Sequence, residues 1–346
     1  YRVFYTAVPF CFGRAFVRSR EDLMEIARII VAGASVCALL AIWEWRMSPH
    51  IHKTLYGYFQ HSFHQHMRWG FFRPIICFKH ALGLGTFFAW TSLLAIAMYR
   101  AGELRLRTAF RLPPSAATLY VILPVIGLLT GMSLGPWGLF VIGIGIFVYR
   151  TQGRWRRLVW APIVLAIGWM GGRYCGVLDG AWADAAVRSI SEKRADSLQT
   201  RVNSETLTIQ HASQRPLFGW GGFGRSRARD HRGNEVVTDG MWIILVGMYG
   251  VVGLVSFYAW WIWPIVMSRR APDALAEDPV VFPILIAIGM QAVNLLFNGF
   301  LSPILTLIAG GVVTAVYASR RMPAALRAAT PAPIAPNPQP QPGITA

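Results

Sequence analysis

The chain has 346 residues, of which 54% are hydrophobic and only 14% charged, with a mean hydropathy of +0.43. About a quarter of a soluble domain is charged, so this composition excludes an ordinary globular enzyme and points to an integral membrane protein. The net charge of +17 is no sign of a nucleic-acid partner, because polytopic proteins gather Lys and Arg in cytoplasmic loops and at anionic headgroups.

The chain opens at Tyr1 rather than Met, and Tyr1–Phe12 reads as the end of an earlier span. No signal peptide is legible, and an N-terminal part is expected to precede this sequence. Apolar runs follow at Leu23–Trp43, Ile75–Tyr99, Ala117–Gly131, Pro136–Tyr149, Leu158–Gly171, Gly240–Met267, Val280–Phe297 and Pro303–Ala318. Runs of this kind cross a bilayer as helices, and their lack of apolar–polar alternation excludes a β-barrel. The runs at 117–149 are short and joined at Gly131-Met-Ser-Leu-Gly-Pro136, a tight turn or the centre of a broken helix pair. The predicted fold is all-α, a polytopic integral membrane protein with about eight to nine transmembrane helices and a large helical extracytoplasmic loop. Its parts are N-terminal spans over 1–171, the loop over 172–238, C-terminal spans over 239–322 and a Pro-rich tail over 323–346 that reads as disordered.

Loop charge gives the orientation. Arg14, Arg18 and Arg20 precede the first full span, and Arg100, Arg105, Arg107 and Arg111 follow the second. Arg150, Arg154, Arg156 and Arg157 follow the fourth, Arg269 and Arg270 the sixth, and Arg320 and Arg321 the last. These clusters alternate as the positive-inside rule requires, which puts 44–74 and 172–238 on the extracytoplasmic face.

Five of the eight histidines fall between His50 and His66, namely His50, His52, His61, His64 and His66. Neither a His-Glu-x-x-His pattern nor a nearby carboxylate accompanies them. The preferred reading is an interfacial segment with Tyr56, Tyr58, Phe59, Phe63 and Trp69 at headgroup level. A metal site and an acceptor-binding role shared with Arg68 and Arg73 remain as alternatives. Cys37 and Cys77 lie in or near apolar runs, Cys11 near the start and Cys175 in the polar block, so neither a disulfide framework nor a Cys metal site is expected.

The polar block from about Gly172 to Thr238 is long and cationic for a mere connector. From Asp196 it reads as a helix, capped by Asp196 or Ser197 and ended by Pro216 near Gln214. Arg201, Glu205, Thr208 and Ala212 share one face, where Arg201 either pairs with Glu205 at i,i+4 or serves as an anion ligand. Gly219-Trp-Gly-Gly-Phe-Gly224 matches G-x-G-x-x-G, but the dinucleotide fingerprint needs a preceding strand and a βαβ unit. A glycine turn bringing backbone N–H groups to phosphate and a plain loop both fit. Arg215, Arg225, Arg227, Arg229 and Arg232 flank it, and arginine suits bidentate binding of phosphate oxygens. Asp239 opens the next span as a base or as a helix cap.

These residues resemble the O-antigen ligase and O-antigen polymerase family of bacterial membrane glycosyltransferases. In that family an extracytoplasmic loop carries an Arg on a helix, a Pro-Leu-Phe-Gly-x-Gly signature, a polar residue opening the next span and a Gly-x-x-Gly segment. Here those look like Arg201, Pro216-Leu-Phe-Gly-Trp-Gly221, Asp239 and Met248-Tyr-Gly250-Val-Val-Gly253. Thr130-Gly-Met-Ser133 looks like the family's Ser-containing turn, and Glu44 to His80 looks like an exopolysaccharide-associated branch. Ligases carry His where this chain has Asp239, which departs from the ligase pattern.

The resemblance implies glycan transfer from undecaprenyl pyrophosphate to an acceptor hydroxyl, with no metal and no cofactor. It makes Arg201 and Asp239 the catalytic candidates and Arg215, Gly219, Gly221, Arg225 and Arg73 the substrate-binding ones. The implied partners are a lipid-linked glycan donor, a polysaccharide or lipid acceptor, membrane lipids and other polysaccharide-export proteins. The competing readings are a transporter or lipid-linked glycan flippase, to which the polar stripe Gln291, Asn294 and Asn298 would belong, and a non-catalytic scaffold.

Overall fold

The computed structural model describes residues 2–59, 63–104, 114–150, 154–179, 188, 192–269, 271, 274 and 277–321. His61, the His64 side chain, Arg105, Arg107, Arg111, Arg270 and the tail over 323–346 lie outside the described residues. The chain is mostly helical. The helices are α1 (Arg2–Phe16), α2 (Arg20–Met47), α3 (Ile51–Tyr56), α4 (Ala81–Arg100), α5 (Pro114–Thr130), α6 (Leu134–Val148) and α7 (Trp155–Tyr174). After the polar block's α8 (Glu192–Ala212) come α9 (Met241–Ser268), α10 (Val281–Phe297) and α11 (Pro303–Arg321). A hairpin of β1 (Met67–Arg68) and β2 (Phe71–Phe72) lies before α4.

Among the described residues, three helices, α2, α4 and α9, are long and apolar enough to cross a membrane, and shorter apolar helices lie within α5, α6, α10 and α11. The apolar stretch of α4 is 83% buried, against 39% in α2 and 44% in α9. α4 is therefore central, and α2 and α9 turn one face outward. α10 is buried along nearly its whole length, its polar Gln291 and Asn294 included.

Helix ends are fixed by the few charges present. Ser19 caps α2 in a reciprocal box with Asp22. At that end of the bundle Arg20 meets Asp278 at 2.6 Å, Arg28 meets Glu103 at 2.9 Å and Arg150 meets Glu277 at 3.4 Å. At the other end Glu44, fully buried, accepts the backbone N–H groups of Ile51, Ile75 and Ile76 at 2.8–2.9 Å. This carboxylate turns the chain from α2 back into the entry to α4, where Ile76 adopts a left-handed φ of 55°.

α1 and α11 cross at backbone contact. A Cβ on Gly13 would lie 1.8 Å from the Leu307 carbonyl oxygen, and one on Gly310 would lie 2.1 Å from that of Phe10. Small residues at such crossings let membrane helices pack closely. Gly310→Ala is expected to lower stability by about 1–3 kcal/mol through overpacking. Gly33→Ala, whose added methyl meets open space, should leave stability level or raise it slightly. Thermal unfolding of the detergent-solubilised protein reads both; equal midpoints for the two variants would contradict the close crossing.

Candidate functional site

The helix of the polar block starts earlier than its sequence suggests, at Glu192, so Asp196 and Ser197 lie inside it rather than capping it. It ends at Ala212, ahead of Pro216. Thr200, Ser204, Thr206 and Thr208 each return a hydroxyl hydrogen bond to the carbonyl four residues back. Glu205, Thr208 and Ala212 form its buried face, which packs on α9.

Glu205 is the anchor of that face. Its carboxylate lies 3.3 Å from Arg173 of α7 and accepts the Trp242 indole N–H of α9, also at 3.3 Å. Arg173 also donates to the Val202 and Leu178 carbonyls and to the Thr206 hydroxyl. Burial pushes the Glu205 carboxyl above its ordinary pKa, opposed by the attraction of Arg173. One buried ion pair thus ties α7, α8 and α9 together.

Because Glu205 is engaged there, Arg201 does not pair with it at i,i+4. Arg201 Nε instead lies 3.4 Å from Asp239 Oδ2, with the two side chains 38% and 49% exposed. Asp239 is not the cap of α9, since the N-cap is Gly240 and no side chain caps that end. The pair lines a water-sized cleft with Ser204, Glu205, Thr238 and Phe297.

The glycine motifs interlock. α9 is not one continuous helix but breaks at Gly250, with φ 67° and ψ −168°. The Pro216–Gly221 segment lies against the break. Trp220 N–H donates to the Gly247 carbonyl and Gly221 N–H to that of Met248, each at 2.9 Å. In return Val251 N–H donates to the Pro216 carbonyl at 2.8 Å and Val252 N–H to that of Leu217 at 3.2 Å. A Cβ on Gly219 would lie 2.7 Å from the Gly250 nitrogen, and one on Gly250 would lie 2.2 Å from the Leu217 oxygen.

Gly219 and Gly221, substrate-binding candidates by resemblance, both take part in this contact. Gly219 N–H bonds the Arg215 carbonyl and Gly221 N–H the Met248 carbonyl, so neither amide is left to face phosphate. The absent side chain of Gly219 serves close backbone approach, and that of Gly221 leaves room for the Arg225 guanidinium. Arg215 lies 4.4 Å from the centre of the Trp220 ring, on which His211 stacks at 4.5 Å. Arg225 donates to the Gly222 carbonyl of its own loop.

Beyond the glycines, residues 225–236 form a flap. Val236 N–H donates to the Ala228 carbonyl, and Asp230 accepts the backbone N–H groups of Arg232 and Asn234. Those bonds, Asn234's first, hold the Asp230 carboxyl below its ordinary pKa. Under the flap lies a cavity of about 350 Å³, walled by Thr208, Ile243, Ile244 and Met248 and by the ion-paired Arg227 and Glu235. Val237 and Thr238 line both this cavity and the Arg201–Asp239 cleft, so the two spaces adjoin.

No known protein-family model matches this chain, and no curated protein matches it. The structure brings together Arg201 and Asp239 in one cleft, and Arg215, Gly219, Gly221 and Arg225 in the adjoining loop. Arg73 lies elsewhere, against Gly131 and Ser133 at the turn between α5 and α6. Among the described residues, no group of three or more His, Cys, Asp or Glu is arranged to hold a metal ion. His52 is buried beside the rings of Tyr56 and Tyr58, and burial pushes its imidazole pKa down. Sequence reading missed Arg173 and Trp242 as anchors. The only signal for Arg173 was a charge at the end of an apolar run.

Gly250→Ala is expected to cost about 1–3 kcal/mol or more, from overpacking and a left-handed alanine. Gly222→Ala, whose methyl meets nothing nearer than 4.0 Å, should stay within about 0.5 kcal/mol of the parent. Glu205→Ala leaves Arg173 buried without its carboxylate and is expected to cost about 3–5 kcal/mol. Unfolding midpoints and the yield of monodisperse protein check all three, and a wild-type midpoint for Gly250→Ala would rule out the interlock.

Proposed function

We propose that this chain is a multi-pass membrane glycosyltransferase of the O-antigen ligase and polymerase type, with about eight to nine spans in a bacterial inner membrane. It would move glycan from undecaprenyl pyrophosphate to an acceptor hydroxyl on the extracytoplasmic side. The observation that supports this most is the cleft in which Arg201 and Asp239 meet beside a cavity of about 350 Å³. A cation and a carboxylate stand together at the start of a long apolar helix, where a lipid-linked donor and a polar acceptor can both reach.

The chemistry assigned to the pair is as follows. The acceptor oxygen attacks the anomeric carbon, the bond to the pyrophosphate oxygen breaks, and undecaprenyl pyrophosphate leaves. Negative charge develops on that leaving oxygen, where a positioned guanidinium is most effective; Arg201 takes this role, with Arg215 as a second cation. The acceptor proton passes to Asp239, the only carboxylate that the described cleft holds besides the buried Glu205. Donor binding draws Arg201 toward phosphate and frees Asp239 for the acceptor. The cavity under the flap, with Arg227 and Glu235 in its wall, has room for the acceptor sugar.

A transporter would need polar groups available along its path. Gln291 donates to the Phe300 carbonyl, and Asn298 donates to Asn294, so the polar stripe of α10 is engaged locally.

The test is a complementation experiment with the full-length gene, reading lipid-linked glycans. Arg201→Ala is expected to lower transfer by about 100-fold or more, with membrane insertion unchanged. Asp239→Asn should lower it by about 100-fold if the carboxylate takes the proton. Accumulated single repeat units identify a polymerase, and long chains stranded on the carrier identify a ligase. Unchanged glycan pools in Arg201→Ala would reject the assignment.

A further inference from the structure

Among the described residues, Arg73 is a cation buried without an anion. It is 5% exposed, yet no carboxylate among the described residues lies within ion-pair distance of it. Its Nε donates to the Gly131 carbonyl at 3.3 Å and its Nη2 to the Ser133 hydroxyl at 2.5 Å, while Nη1 donates to nothing among the described residues. Arg68 reaches the same turn through the Met132 carbonyl at 3.1 Å. Burial, with the like charge of Arg68, pushes the Arg73 guanidinium down to about 9, so it is still protonated at neutral pH. Carbonyls solvate a guanidinium but do not neutralise it, and holding an unpaired charge out of water is costly.

The surroundings indicate what supplies the missing charge. β1 and β2 join through Trp69 and Gly70, both with left-handed φ, a two-residue turn of the primed type. The hairpin exposes Met67, Trp69 and Phe71. It sits where α2 ends, α5 ends and α6 begins: Phe71 stacks on Trp45 at 4.2 Å and Trp69 lies 6.3 Å from Trp137. Exposed indole and apolar side chains at the level where apolar helices end belong to the headgroup zone of a bilayer. The anions of that zone are lipid phosphates.

We propose that Arg73, oriented by the Ser133 hydroxyl and joined by Arg68, seats the phosphate of a membrane lipid beneath the hairpin over residues 67–72. The phosphate belongs either to a bulk phospholipid or to a lipid-linked diphosphate. The seat is separate from the Arg201 cleft, and it stands whether or not the chain transfers glycan.

The experiment is native mass spectrometry of the full chain in a phosphate-free detergent, titrated with dioleoyl phosphatidylglycerol or with phosphate-free dioleoylglycerol. Retention of the phospholipid at least about tenfold tighter than of dioleoylglycerol is expected, with that preference lost in Arg73→Gln and partly kept in Arg73→Lys. Equal retention of the two lipids by the wild-type chain overturns the proposal, and so does an undiminished preference in a folded Arg73→Gln protein. Should Arg73→Gln not fold, the wild-type comparison and Ser133→Ala decide by the same preference. Farnesyl pyrophosphate then assigns the source: displacement of the bound phospholipid identifies a lipid-linked diphosphate, and its retention identifies bulk lipid; both support the seat. Loss of the preference in Arg201→Ala would merge the two sites and overturn their separation.

Discussion

The backbone contact between Pro216–Gly221 and the break at Gly250 is the constraint on which the rest of the polar region depends. A helix that breaks inside an apolar stretch frees carbonyl and N–H groups that hydrocarbon cannot satisfy. Here the loop satisfies them, with bonds from Trp220 and Gly221 to the carbonyls before the break and from Val251 and Val252 back to the loop. The contact is possible only because Gly219 and Gly250 bring no side chains. It fixes the loop to α9 at one point while Arg173, Glu205 and Trp242 fix α8 at another, and Arg201 and Asp239 meet between the two.

Carboxylates are scarce in this chain, with 16 Asp and Glu against 33 Lys and Arg, and the buried ones are fully committed. Glu44 holds backbone N–H groups, Glu205 holds Arg173, and Asp278 both meets Arg20 and accepts the N–H groups of Val280 and Val281. Asp239, half exposed, is paired through one long contact, which makes its engagement the most easily exchanged of the four. Commitment of the buried acids elsewhere leaves cationic surplus on the loop, where Arg215 leans on an aromatic ring and Arg225 on a carbonyl, while Arg227 pairs with Glu235.

Helical architecture was legible because apolar run length speaks directly to it: the runs at 280–297 and 303–318 correspond to α10 and α11 within a few residues, and the run at 75–99 contains α4, which starts later, at Ala81. The break in α9 was not, since Gly250 sits within an unbroken apolar run and its partner loop lies far back in the chain. The meeting of Arg201 with Asp239 was not legible either: local spacing favoured Glu205, and only the buried demand of Arg173 for a carboxylate redirects it. The Gly219 and Gly221 positions were recognised for their composition, but composition cannot tell an amide that faces a ligand from one that bonds a neighbouring carbonyl. The hairpin at 67–72 escaped notice because its strands are only two residues each.

The Gly219–Gly250 contact also orders how the molecule is built. Pro216–Gly221 leaves the ribosome before the helix that completes it, so its backbone groups stay hydrated until α9 arrives. The N-terminal part of α9, ending in an open turn, cannot settle into the apolar layer alone without exposing the carbonyls of Gly247 and Met248. Each segment is therefore poorly suited to an apolar layer until it meets the other, which couples the settling of the polar block to that of α9.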